Sequence, residues 1–551
     1  MNAFSRFFNK PTYRYTQTKV NFWLSLYFAT VLNYALYAKV LHLHPFTGAS
    51  TDYFIFSIPV FIFCVCYLIF SVLTLPFVHK VIVPFLLIVS SAIAYNSIFF
   101  DVYFNRDMLT NVLQTTPSES RRLMTLPFIA WIIGFGIIPA ILYAKIKINY
   151  RKWYQEILYR LGFFVLAVLG ILAIAAAFYQ DYASFGRNNL SIKHLIIPTN
   201  FIVASSSKYR HFKREQMPYQ VIEPNAVLDK ADNRRKVTVM IIGETARANN
   251  WGLNGYARQT TPLLAGRGNE VVNFNNVISC NTFTAGSVPC MFSHLGRGKF
   301  NADRAEKQDN LLDILQRAGV YIDWFNNNSD CKGVCKNTPY TNVTKIADPK
   351  LCTDGECLDD VLLPELDKAL QKPDELNKDA FIVLHTIGSH GPTYYERYTD
   401  AYRKFTPTCD TNKINQCSNE QLVNTYDNTI LYTDKFINQV IERLESHKDW
   451  KSSVIYVSDH GESLGENGIY LHSTPYDIAP KYQTHVPMIM WFNETWRNDK
   501  SLDYTCLQNN AKSQNYSHDN LYSTIYAMMD LKKQDTYQAD LDILHACKKT
   551  Q

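Results

Sequence analysis

The chain has 551 residues, enough for two or three domains, and carries a formal net charge of +6. So small an excess of positive charge leaves no electrostatic footprint for nucleic acid, and no nucleic-acid partner is expected. A mean hydropathy of −0.15 averages two unlike materials: residues 20–180 are dominated by apolar runs, whereas 205–551 read as an ordinary water-soluble domain.

Five apolar stretches reach the roughly 20 residues that a bilayer-crossing helix needs. They fall near residues 21–42, 53–77, 81–100, 124–144 and 161–179. Only the first holds a charged side chain, Lys39, near one end where it can snorkel to the headgroups. Buried helices of a soluble core would require five such segments in succession, so the expectation is a five-span membrane domain, residues 1–180. A cleaved signal peptide is not expected, because about twenty residues precede the first span and four more spans follow.

Basic residues set the orientation. The tail before the first span carries Arg6, Lys10, Arg14 and Lys19 without an acid, and the loop after the fourth carries Lys145, Lys147, Arg151, Lys152 and Arg160. The loop at 43–52 has neither Lys nor Arg. The positive-inside rule then places the N-terminus in the cytoplasm and everything after the fifth span outside. Ten of the twelve cysteines lie beyond residue 270, an even number in an oxidising compartment, which reads as disulfides. Cys280/Cys290, Cys331/Cys335, Cys352/Cys357 and Cys409/Cys417 are close neighbours and pair most simply with each other. The connectivity of Cys506 and Cys547 stays open.

Residues 181–235 are polar, with apolar patches such as "LIIPTNFIV", and are expected to form a connector along the membrane surface. From residue 236 to 551 the pattern becomes α/β. Runs apolar at nearly every position occur at 236–242, 379–385, 452–458 and 486–492, as in strands buried on both faces of a parallel sheet. Helix-like segments, "NLLDILQRAG" and "NTILYTDKFINQVIERLESH", lie between them. In such folds ligands sit at the carboxyl ends of the strands.

Polar residues gather where those ends fall. Glu244 follows the first run, His385 and His390 the second, Asp459 and His460 the third, and His472 comes shortly after. Two carboxylates and an imidazole from separate strand ends suit a divalent ion of the zinc type. His385 ends an apolar strand and is expected to be a core histidine. The loop "SCNTFTAGSVPCMF" (279–292) sets Thr282, Thr284 and Ser287 between Cys280 and Cys290. Alone it is either a stapled surface turn or a rigid holder for a hydroxyl nucleophile, which a metal would activate.

G-E-T-A-R (243–247), T-A-G-S-V-P-C-M-F (284–292), G-S-H-G-P (388–392) and S-D-H-G-E-S-L-G-E-N-G (458–468), behind five spans, together resemble the lipid A phosphoethanolamine transferases, including the mobile colistin resistance proteins. The resemblance covers essentially the whole chain. It implies an outer α/β domain of alkaline phosphatase/sulfatase-like type, in the periplasm and tethered to the inner membrane. It further implies transfer of phosphoethanolamine from a phosphatidylethanolamine donor to a lipid A acceptor through a phosphothreonine, with Zn2+ as cofactor and polymyxin resistance as outcome. A monomer is expected.

By the same resemblance Glu244, Thr284, Asp459 and His460 form the zinc site, with Thr284 the nucleophile. His390 and His472 contact the phosphoethanolamine group, Asn328, Ser329 and Lys332 line the substrate pocket, and Asn111, Thr115 and Glu119 face it from the outer loop. The motif departs from its relatives at C-N-T-F-T-A, which makes Thr282 a rival to exclude. Alternatives are transfer to a core sugar or other glycan, and a phosphoglycerol transferase of the lipoteichoic acid synthase type, which the cysteine-rich outer domain disfavours. A sulfatase would need a C/S-x-P-x-R motif, which the stapled loop lacks. A catalytically dead lipid-binding module would not keep every metal position.

Overall fold

Apolar segments with no water to satisfy their amides must bond within themselves, and each predicted span is helical. A computed structural model describes residues 13–46, 48, 52–76, 78–114, 124–230, 233–346, 348–353, 355–498 and 502–548. The chain divides into two units, Met1–Gln216 and Met217–Gln551.

In the first unit Tyr53–Leu73, His79–Phe100, Leu126–Lys145 and Trp153–Asn188 are long and apolar enough to cross a membrane. The span expected at 21–42 is instead a pair, Gln17–Leu32 and Tyr34–Leu43, bent by 49°. The break falls at Asn33, after a π-helical turn. The buried Asn33 amide donates to the carbonyls of Phe28 (2.8 Å) and Ile197 (2.7 Å) and accepts the Ile197 N–H (2.9 Å). It thus replaces bonds the broken helix lost and fastens a distant irregular segment. Tyr13–Tyr15 pairs in parallel with Ile146–Ile148, so Arg14 and the basic loop after the fourth span lie on one side, as the charge pattern requires.

The stretch expected as a surface connector is taken up differently. Helix continues to Asn188, a 3-10 turn covers Leu190–Leu195, and a further helix spans Thr199–Glu215 inside the first unit. The apolar patch "LIIPTNFIV" causes this, because Leu195 and Ile197 are buried among the spans.

The second unit is built on a seven-stranded sheet. Its strands are β1 (Lys236–Gly243), β2 (Val271–Phe274), β3 (Tyr321–Asn326), β4 (Tyr340–Asn342), β5 (Ala380–His385), β6 (Lys451–Ser458) and β7 (Met488–Phe492), in the order β2-β7-β6-β1-β5-β3-β4. β7 is antiparallel to both neighbours; the other pairings are parallel. β1, β5, β6 and β7 are the four apolar runs. Every residue of β1 and β6 is buried, and burying each aliphatic side chain contributes about 1.5–3 kcal/mol.

Three helices matter for the site. α1 (Thr284–Met291) lies within the stapled loop and carries its second cysteine, Cys290; α2 (Leu311–Arg317) and α3 (Asn419–Glu445) are the two helix-like segments. α2 and α3 start at reciprocal capping boxes, Asn310 with Asp313 and Ser418 with Gln421, which satisfy first-turn amides. The four neighbouring cysteine pairs are disulfides, Cys506 bonds Cys547, and the free Cys64 and Cys66 are buried in a span.

Candidate active site

β1 and β6 run side by side with Gly243 opposite Ser458, so Glu244 and Asp459 leave the sheet together at its carboxyl edge. The ligand atoms of Glu244, Asp459 and His460 all lie within 4.8 Å of one another, with the three residues buried. His460 Nε2 is 3.4 Å from Glu244 Oε1 and 3.3 Å from Asp459 Oδ2. Its Nδ1 bonds the Gly461 carbonyl at 3.0 Å, which fixes the ring with Nε2 facing the carboxylates.

The stapled loop brings Thr284 to this edge. Thr284 Oγ1 donates to Glu244 Oε2 at 3.1 Å and lies 3.4 Å from His460 Nε2. As the first residue of α1 it sits at the positive end of a helix dipole, which favours an anion. Thr282 is turned away, buried, with its hydroxyl donating to the Thr474 carbonyl at 2.7 Å. Ser287 is occupied as well: its oxygen accepts the Asn281 N–H and donates to the Asn281 carbonyl. Of the three hydroxyls in the ring, only that of Thr284 meets the carboxylate–histidine cluster.

Electrostatics favour a cation here. Burial and the Glu244 charge push the Asp459 carboxyl above its usual range. Burial works against protonation of His460, but the charges of Asp459 and Glu244 lift its pKa above that of a free imidazole. Burial would raise Glu244; the His460 bond outweighs it and keeps that carboxyl low. Asp459 Oδ2 is buried without a hydrogen bond. A nitrogen, two carboxylates and a hydroxyl with one orphaned anionic oxygen make a donor set that fits zinc.

Outward from Glu244 runs a chain of polar contacts. Asn328 donates to Glu244 Oε2 at 2.8 Å and to the Thr386 carbonyl at 3.0 Å. Ser329 donates to Asn328 Oδ1 (3.2 Å), and Lys332 donates to Ser329. The His472 ring lies 4.2 Å from that of His460 and 6.0 Å from that of His390, between centroids. Asn328, Ser329, Lys332, His390 and His472 thus surround the metal-type cluster in the second unit. Asn111 lies on the helix Arg106–Gln114 of the first unit; Thr115 and Glu119 fall outside the described residues. His385 is buried, bonded to Asn326 at 2.8 Å, and held by burial at a pKa of about 4.

Five further residues support the site without having been given a role from the sequence. His518 Nδ1 accepts the Cys280 N–H, while its Nε2 donates to the Ser458 carbonyl. Glu462, fully buried, contacts His472 Nδ1 at 3.2 Å. Asp359 accepts the amides of Ile387 (2.8 Å) and Gly388 (3.0 Å), holding the G-S-H-G-P turn. Gly388 is required there, since its φ is +49° and a Cβ would come within 2.7 Å of the Glu244 carbonyl. Thr245, a β-branched residue at φ +61°, is held in that strained conformation by bonds to Asp459, Glu244 and Tyr426.

Two family models match the chain: "Sulfatase" over residues 236–531 and "Phosphoethanolamine transferase EptA/EptB" over 62–212. The phosphoethanolamine transferase EptA of Escherichia coli (strain K12) is 42% identical over 536 residues, 96% of this chain and 97% of that one. The chain belongs to the phosphoethanolamine transferase family. Mcr-1, a phosphatidylethanolamine transferase of Escherichia coli, shares 36% identity over 92% of this transferase and 94% of its own length. The integral membrane lipooligosaccharide phosphoethanolamine transferase A of Neisseria meningitidis aligns with a TM-score of 0.65 and 53% identity, covering 98% of this chain and 100% of that structure. The transferase is therefore a membrane-integral enzyme whose second unit has the sulfatase-like fold.

Proposed function

We propose that this transferase moves phosphoethanolamine from phosphatidylethanolamine to a phosphate of lipid A, in the periplasm, through a phosphothreonine at Thr284. The observation that carries this reading is the Thr284 hydroxyl, 3.1 Å from Glu244 and 3.4 Å from His460 at the start of a helix. The names of the relatives support the group transferred, and those of Mcr-1 and the Neisseria structure point to the donor lipid and the lipooligosaccharide acceptor.

Glu244, Asp459, His460 and Thr284 would hold one zinc ion. Bound there, zinc lowers the pKa of an oxygen ligand and offsets charge on a phosphoryl group. The protein's own residues supply position and charge, the main terms in phosphoryl transfer. In the first half-reaction Thr284 Oγ1 attacks the donor phosphorus and the bond from phosphorus to the glycerol oxygen breaks. Diacylglycerol leaves with the proton that Thr284 gives up. His472, whose ring lies 4.2 Å from that of His460, would carry that proton. Lys332 and Ser329 offer donors to the phosphoryl oxygens. In the second, a lipid A phosphate oxygen attacks the same phosphorus, the bond to Thr284 breaks, and the proton released by the attacking phosphate restores the hydroxyl.

Each transfer adds an ammonium to a phosphate site. Polymyxins approach through that negative charge, so transfer confers resistance. The test is mass spectrometry of lipid A from a susceptible Gram-negative host expressing the wild-type chain or Thr284→Ala. The expected result is one or two added phosphoethanolamine masses and raised polymyxin resistance with the wild type alone. Unmodified lipid A with a modified core sugar would redirect the acceptor; no transfer at all would refute the reading.

A further inference from the structure

The membrane unit contains a cavity of about 1000 Å³, at the upper end of ligand-binding clefts. One helical face lines it from Thr199–Glu215, through Phe201, Ser205, Lys208 and Phe212, at spacings of four, three and four. Met108, Leu109 and Val112 line it from Arg106–Gln114, and the span His79–Phe100 supplies a third wall including Ala92 and Asn96. Met124 and Phe128, at the start of the next span, close the fourth side. The lining is mostly apolar, with Asn96, Thr125 and Ser205 among its few polar residues and Lys208 its one charged side chain among the described residues. Lys208 Nζ donates to Thr110 Oγ1 at 3.0 Å, which stretches the ammonium across the gap between two helices.

We propose that this cavity is an acyl-chain site for a glycerophospholipid, with the lipid phosphate at Lys208. Apolar cavities of this kind stay dry and take up apolar matter, and the only such matter around membrane helices is hydrocarbon. Phe100 and Met124 both line the cavity, and both sit at the outward ends of their spans under the positive-inside orientation. The cavity therefore opens at the level of the outer leaflet, where an ammonium can meet a headgroup. A volume of about 1000 Å³ suits the acyl chains of a glycerophospholipid, whereas a multi-acylated glycolipid would need more room. Beyond the cavity the same helix carries Arg210, Lys213 and Arg214, which add attraction for phosphate at the interface. The site requires no transfer chemistry. If the proposed function also holds, it is a holding site for the donor class.

Photolabelling of the full-length protein in nanodiscs tests this, using phosphatidylethanolamine with a diazirine on one acyl tail. Adducts should concentrate on residues 108–113 and 201–212, relative to the exposed apolar side chains at 154–172, which report bulk lipid. Ala92→Trp and Ser205→Trp, which fill the cavity, should lower cavity labelling about tenfold while leaving the 154–172 adducts unchanged, a shift worth about 1.4 kcal/mol. Lys208→Gln should weaken labelling and Lys208→Arg should retain it. Uniform labelling of all spans, no effect of the filled variants, or preferential labelling by a diazirine lipid A probe would overturn the proposal. Loss of transfer with cavity labelling intact would count against the proposed function and leave this site standing.

Discussion

His518 ties the amide of Cys280 to the carbonyl of Ser458, accepting at Nδ1 and donating from Nε2, each at 3.0 Å. It clamps the stapled nucleophile loop to the strand that ends in Asp459. Burial holds its pKa near 3, against 6.5 for a free imidazole. Between pH 6.5 and 3 the unfolded chain binds a proton that the folded one does not, so stability rises with pH and is lost as pH falls. The slope from this group is about 1.4 kcal/mol per pH unit. His518→Ala should flatten the acid limb of denaturant-unfolding curves by that amount and also lower transfer, since the loop loses its anchor. An unchanged acid limb would show that His518 does not stay neutral.

The two threonines of the ring should separate cleanly. Thr284→Ala is expected to abolish transfer with little change in melting temperature. Thr282→Ala leaves the Thr474 carbonyl without its donor, at a cost of about 1–3 kcal/mol, and should keep most activity. Parallel measurement of product and thermal unfolding decides the matter, and the reverse pattern would move the nucleophile to Thr282.

Metal content should follow the buried cluster. Asp459→Ala is expected to lower bound zinc, read by elemental analysis, together with activity. Chelation of the wild type should remove activity, and zinc should restore it. Stoichiometric zinc in the Asp459 variant would rule out the ligand set.

Glu462 is expected to act through His472, whose Nδ1 it contacts at 3.2 Å. A carboxylate there fixes the tautomer and leaves Nε2 for the substrate. Glu462→Gln should reduce kcat about 10–100-fold, the range seen when an orienting partner is removed, and Glu462→Asp should recover part of it. A change in KM alone would place Glu462 in binding instead.

Much of the fold was legible because β1, β5, β6 and β7 are apolar along nearly their whole length, and burial on both faces of a sheet demands that. The antiparallel direction of β7 was not, since strand composition carries no direction. β3 escaped notice because Asp323 and Asn326 break its apolar run. Their partners, Tyr321, the Trp324 amide and His385, appear only once the chain is folded. Glu244, Asp459, His460 and Thr284 could be read from motifs. His518 could not, because a lone histidine far along the chain has no pattern until its two backbone partners are adjacent. The strain at Thr245 is likewise a property of φ, which "GETAR" does not encode.

The Asn33 amide implies an order of assembly for the membrane unit. During synthesis the first helix pair enters the bilayer long before residue 197 exists, so Asn33 must wait with polar atoms unsatisfied in hydrocarbon. Only when the segment after the last span folds back does Ile197 supply the missing amide and carbonyl. The late segment therefore acts as a latch for the earliest one. A nascent chain lacking it is an incomplete membrane protein carrying an exposed polar group, the kind of intermediate that quality control removes.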